Sequence, residues 1–171
     1  MLYYSSTENT GKGATHMPHQ RGVKSVAQNR KAFHDYFVEE RYECGIALFG
    51  TEVKSIRAGT VNLKDSFCTV KNGELFAYGI HISPYEHGSI YNRDPDRPKR
   101  LLMHRREITK LYARTKQDGL TLVPLSLYFK DSRVKVELGL CKGKKLYDKR
   151  DADAQRSAKR EIDRTIKEKN Y

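Results

Sequence analysis

Apolar and polar positions divide the chain into helical and strand-like stretches. Over 26–42, Val26, Phe33 and Phe37 share one helical face while Asn29, Lys31, His34 and Asp35 lie elsewhere, which predicts a helix. From Tyr42, the residues Cys44, Ile46, Leu48, Val53 and Ile56 predict a strand kinked near Gly50 and closed by Ala58-Gly59. Ranges 62–71 and 74–82 are strand-like and flank Asn72-Gly73, the strongest short hairpin signal. Pro84, Gly88, Pro95 and Pro98 make 83–99 a long loop. Ile108, Leu111, Tyr112 and Thr115 then recur at helical spacing, and Gly119 stands where a left-handed helix terminus wants glycine. Ranges 120–130 and 133–140 form a second hairpin around Asp131-Ser132. Strict alternation turns Val134, Val136, Leu138 and Leu140 inward and Lys135 and Glu137 outward.

Short antiparallel strands with one helix between hairpins predict a mainly β fold, an OB-like small antiparallel β-barrel with flanking helices. Beyond Gly143 the strand pattern stops. Ala154, Ala158, Ile162 and Ile166 recur every four residues, too thin a stripe for a lone helix to hold in water. The expected organisation is a disordered extension over 1–23, an OB-like domain over 24–147, and a basic tail over 148–171 that is disordered when free and orders on a partner.

Charge narrows the function. The 171 residues carry 33 Lys and Arg against 21 Asp and Glu, a net charge of +12 that favours a polyanionic partner. Residues 142–171 contribute +5 of it, and Arg97, Lys99, Arg100, Arg105 and Arg106 form a second run without an intervening acid. The tail lacks the bulky apolar face of a membrane-surface helix, and no apolar run nears bilayer length, so no membrane partner is expected. Cys44, Cys68 and Cys141 are odd in number and scattered, which points to a reducing cytoplasm rather than a disulfide frame or zinc site.

No catalytic set, metal site or cofactor site emerges. His34-Asp35 lacks the further ligands of a metal phosphohydrolase, and the run 139–145 (GLCKGKK) lacks the P-loop pattern and reads as a basic turn. Cys141 beside Lys142 is either an activated thiol or an inert barrel-end cysteine. Lysines and arginines interleaved with Tyr and His suit RNA, giving phosphate contacts and stacking surfaces. Tyr147, inside a basic run, is placed for stacking. Glu43, if it faces RNA, accepts from base N–H groups. Two other readings are a metal-independent ribonuclease using His34, His104 and lysines, and a general single-strand binder.

The segments NRKAFHDYF (29–37), YECGIALFGTEVKSIRAG (42–59), SPYEHGS (83–89), KRLLMHRREI (99–108), LVPLSLYF (122–129) and KVELGLCKGKKLYDKR (135–150) resemble, in order, those of the small protein B or SsrA-binding protein family. That family partners transfer-messenger RNA (tmRNA) in bacteria. The resemblance implies a non-enzymatic adaptor that binds the tRNA-like domain of tmRNA. It implies delivery of alanyl-tmRNA, with elongation factor Tu, to stalled ribosomes for trans-translation. By the same resemblance, Asn29, His34, Glu43, Leu102, Lys135, Lys142, Lys144 and Lys145 are RNA-binding positions. Tyr147, Asp148, Lys149, Arg150 and Ile166 match positions that meet the ribosomal decoding centre and mRNA channel. Phe33 stands where the family often has a basic residue, and Cys44 where alanine is common.

Overall fold

The computed structural model describes residues 22–169. In chain order it runs β1 (Val23–Gln28), α1 (Arg30–Asp35), β2 (Tyr36–Ile46), α2 (Gly50–Arg57), β3 (Val61–Asn62), β4 (Phe67–Lys71) and β5 (Glu74–Tyr78). It continues with β6 (His81–Ile82), a 3-10 turn at Ser89–Tyr91, β7 (Lys99–Leu102), α3 (Arg105–Gln117), β8 (Thr121–Lys130), β9 (Arg133–Gly143) and α4 (Leu146–Lys169). Six strands pair antiparallel in the order β8-β4-β5-β7-β2-β9, and β9 returns to β8, so the sheet closes into a barrel. Strand β1 pairs with the far end of β8, and β3 and β6 form a small separate ladder. The expected mainly β, antiparallel fold with flanking helices is the observed one.

Closure gives the apolar alternation a single interior. Leu75, Ala77, Leu101, Leu122, Leu127, Val136, Leu138 and Leu140 fill it together with Ile56 and Leu111 from the helices. Each such leucine contributes about 1.5–3 kcal/mol by leaving water. A second, smaller cluster forms on the other side of β8 and β9, where Ala32 of α1 covers Val123, Leu125 and Cys141. Both faces of β8 are therefore buried over 122–125, and its sequence there reads as a continuous apolar run rather than an alternation.

Both expected hairpins form. Asn72 and Gly73 sit at φ 53° and 75°, the left-handed pair a two-residue turn needs, and Asp131 and Ser132 take φ 49° and 63°. Helix α3 ends before Gly119, whose φ is 63°. In β9, Val136, Leu138 and Leu140 point inward and Lys135 outward as alternation required. Glu137, opposite Glu43, keeps the outward side that alternation gives it but is covered there. It is 7% exposed, held by Arg41 at 3.1 Å and the Ser126 hydroxyl at 2.8 Å.

The single helix expected over 26–42 is instead a strand, a short helix and a strand. Asn29 breaks the run: its Oδ1 accepts the Ala32 N–H at 3.1 Å and starts α1, and Tyr36 returns to extended backbone. From Tyr36 to Ile46 exposure alternates, but an outward phenylalanine (Phe37) and a half-buried Glu40 invert the usual polarity and hide the period of two. The strand expected through Gly50 is likewise helix α2 from Gly50. Glu52 accepts the Phe49 N–H at 2.7 Å, satisfying a free donor at the helix start. Its carboxylate also binds Arg97 at 2.5 and 2.8 Å, so a charged residue occupies the inner helix face.

Of the extension expected over 1–23, residues 1–21 lie outside the described residues, and Val23 is already paired with Lys130. The tail forms α4, exposed from Asp153 to Lys167, and among the described side chains of α4 none joins a hydrophobic cluster. Among the described residues no helix is long and apolar enough to cross a membrane.

Candidate nucleic-acid interface

Cross-strand register builds one face of the barrel exterior. Gly45 of β2 lies opposite Leu102 of β7 on one side and Lys135 of β9 on the other, and Lys135 lies opposite Tyr128 of β8. Directly paired residues point to the same side of a sheet, so all four share the outer surface. Glu43, two residues before Gly45, joins them. Its carboxylate accepts from the Tyr128 hydroxyl at 2.7 Å and from Lys130 Nζ at 3.0 and 3.2 Å, and Lys135 Nζ stands 3.8 Å away. These donors, Tyr128 foremost and then Lys130, hold the Glu43 pKa below the ordinary carboxylate value. The tyrosine is pushed well above its usual range by burial and by that carboxylate.

Gly45, having no side chain, leaves room for Leu102 to lean across it. A Cβ there would lie 3.2 Å from the Leu102 Cβ. Leu102, 47% exposed, therefore projects over Gly45 beside an acid-and-lysine cluster.

A second cluster occupies the other end of the β2–β9 ladder, where Phe37 opposes Lys142. His34 at the end of α1 bonds Asp35 through Nδ1 at 2.9 Å and Asp153 of α4 through Nε2 at 3.1 Å. Lys149 reaches the same Asp35 carboxylate at 3.0 Å. The Lys144 N–H donates to the Asp35 carbonyl at 2.9 Å, and its ammonium donates to the Phe33 carbonyl at 3.2 Å and lies 4.9 Å from the Phe37 ring centre. Asp148 accepts the Lys145 N–H at 3.0 Å and so caps the start of α4. Bonds to Asp153, and then to Asp35, raise the His34 pKa, while the imidazole and Lys149 lower that of Asp35.

The structure thus brings Glu43, Leu102 and Lys135 together, and separately gathers His34, Lys144, Lys145, Asp148 and Lys149, with Lys142 exposed beside them. Asn29 joins neither surface. It is 3% exposed, with Nδ2 donating to the Pro124 carbonyl at 3.1 Å and Oδ1 capping α1, so it positions that helix from below. Arg150 and Ile166 are exposed on α4. The side chain of Tyr147 lies outside the described residues. Phe33, where the family often has a basic residue, packs against the smaller apolar cluster of Ala32, Val123, Leu125 and Cys141, with Arg41 over its ring at 5.7 Å. Cys141 is buried, and burial pushes its thiol up to about 11, which makes it inert at neutral pH.

Sequence reading missed Tyr128 and Lys130 as partners of Glu43, Asp153 as the partner of His34, and Gly45 as the residue over which Leu102 leans. The pairing of 120–130 with 133–140 around Asp131-Ser132 sets Tyr128 opposite Lys135, so that one was recoverable from the hairpin register.

Comparison with known proteins places these features in a family. The family model described as SmpB protein matches residues 26–168. An SsrA-binding protein of Acetivibrio thermocellus is 65% identical over 143 residues, covering 84% of this chain and 93% of that protein. One from Carboxydothermus hydrogenoformans is 60% identical over 144 residues, covering 84% and 97%. A solved chain described under "tmRNA-SmpB: a journey to the center of the bacterial ribosome" is similar with a TM-score of 0.61 and 50% identity, over 71% of this chain and 86% of that one.

Proposed function

This chain belongs to the SmpB protein family, and we propose that it is an RNA-binding adaptor that binds the tRNA-like domain of tmRNA and delivers it to stalled ribosomes for trans-translation. The observation that carries this reading is the convergence of Glu43, Leu102 and Lys135 around Gly45. Lys135 and Lys130 supply phosphate contacts, Glu43 accepts from base N–H groups, and Leu102 covers a sugar or base. Gly45 leaves room for Leu102 to take that position. Binding without catalysis is part of the proposal, since folded RNA needs only positioned charge and shape here.

The unit over 24–147 carries this task and the tail over 148–171 carries another. Its helix is exposed from Asp153 to Lys167, and ordering costs about 1–2 kcal/mol per residue, so an extensive partner surface must offset it. The decoding centre and mRNA channel of the small ribosomal subunit fit, with Tyr147 stacking on a base and Asp148, Lys149 and Arg150 at the channel entrance. The adaptor enters in company with elongation factor Tu and alanyl-tmRNA, and works in the cytoplasm.

A gel shift with tmRNA against a tRNA competitor across a salt series tests the reading. The expected result is a salt-sensitive complex that prefers tmRNA and leaves it intact. Cleaved RNA would establish the ribonuclease alternative, and equal competition by a homopolymer would reduce the protein to a general single-strand binder.

A further inference from the structure

We propose that Phe67 and Tyr78 form a stacking platform for an unpaired base of the RNA held by the Glu43 face; the proposal rests on the functional reading above. Phe67 opens β4 and Tyr78 closes β5, and register sets them directly opposite each other. Their ring centres are 5.5 Å apart and their planes 13° from parallel. Alternation turns both outward, because their neighbours Cys68 and Ala77 are buried in the core.

A cross-strand aromatic pair that serves only the sheet gains by covering its rings. Phe67 keeps 48% of its surface open to water. An exposed, parallel-stacked ring pair is the arrangement that accepts a further flat ring, and every base offers one whatever its identity.

The surroundings choose nucleic acid as the occupant. Thr69, Phe76 and Arg100 lie side by side across β4, β5 and β7 on the same outer surface. Two residues beyond Arg100 stands Leu102, the edge of the Glu43 face. Counting four residues along the sheet and one strand across, Tyr78 lies roughly 14 Å from Leu102. One folded RNA spans that separation. Lys71, on the same outward side of β4, and Arg100, bridged to Glu74 at 2.8 Å, lie along that path.

The chain contains no tryptophan, so Phe67→Trp installs a single tryptophan, excited apart from the tyrosines, on the platform of the full-length protein. Titrated with tmRNA, its emission should be quenched in step with complex formation followed by gel shift on the same samples. A complete gel shift with unchanged emission would overturn the platform while leaving the adaptor reading intact. Absence of any shift with the unmodified chain would overturn the adaptor reading, and the platform with it. Phe67→Leu should weaken tmRNA binding between about five-fold and about 150-fold, the range for losing one stacked base. Phe67→Tyr should keep native affinity. Equal loss in both variants, with unchanged thermal melting, would also sink the proposal.

Discussion

The Glu43 face and the His34 junction stand roughly 20 Å apart, six residues along the same strand from Glu43 to Phe37. Both assemble cations around carboxylates, but they rest on different supports. Around Glu43 every participant sits on a strand of the closed barrel, with Cys44, Leu127 and Val136 packed into the core beneath. Around His34 the participants come from a six-residue helix, from Lys144 and Lys145 leading into α4, and from that helix's first turns, none of whose described side chains joins a hydrophobic cluster. The first surface is as rigid as the barrel. The second is fastened by His34–Asp153 and Lys149–Asp35, contacts between partly exposed charges, which contribute little each. A rigid face suits recognition of one folded RNA, and a lightly tethered helix suits a segment that exchanges partners.

The largest effect should come from removing the support common to both. Leu138 is fully buried between β2 and β8, and Leu138→Ala should cost about 2–5 kcal/mol in denaturant unfolding. A loss below 1 kcal/mol would mean the ladder is not the shared foundation.

Deleting 151–171 should separate the two regions. The barrel keeps its core, so tmRNA affinity in a gel shift should stay at the native level while tagging on a ribosome stalled at a message end is lost. Normal tagging by the truncated protein would refute the tail's proposed role, and lost affinity would move α4 into the RNA face.

Acidity should act on the junction and spare the face near neutrality. The His34 pKa is raised, by Asp153 first and Asp35 next, so its stabilisation is complete below the ordinary value of about 6.5 and is lost as pH rises through the folded value. Asp35 and Asp153 are lowered, so theirs is present above the ordinary carboxylate value and lost as pH falls through the folded one. The junction is therefore tightest between the two. Hydrogen exchange in the first turns of α4 should speed up as pH passes upward through the His34 transition, after correction for intrinsic rates. Asp153→Asn should shift the His34 imidazole titration, followed by NMR, downward; an unmoved titration would break the assignment.

The smallest effect on stability belongs to the face itself. Lys135 points outward with Glu43 3.8 Å away, so Lys135→Ala should leave unfolding free energy within ~0.5 kcal/mol while weakening tmRNA binding. A larger loss of stability would contradict the outward register of β9.

Local chemistry made some of this legible. Asn72-Gly73 and Asp131-Ser132 announced their turns because few residues accept left-handed backbone. Helix α3 showed its period because Ile108 and Leu111 face the core and Gly119 ends it. Strand β2 did not show its own, because Phe37 is outward and 50% exposed and Glu40 is half-buried against Tyr42 and Arg114. Helix α2 was hidden by Glu52, a carboxylate on its inner face whose reason is Arg97, 45 residues away.

By itself the sequence determined the +12 charge that calls for a polyanion, the two hairpins, the inward stripe of β9, and the family to which the motifs belong. These depend on composition and on residues close along the chain. Tertiary structure decided that the sheet closes, that Leu102, Gly45, Lys135 and Tyr128 line up across four strands, and that Asp153 meets His34 from 119 residues away. It also set Asn29 beneath the surface as a cap and covered the outward Glu137 with Arg41 and Ser126. Each of those outcomes is a long-range pairing, settled by which strands share a core rather than by any residue's own preference.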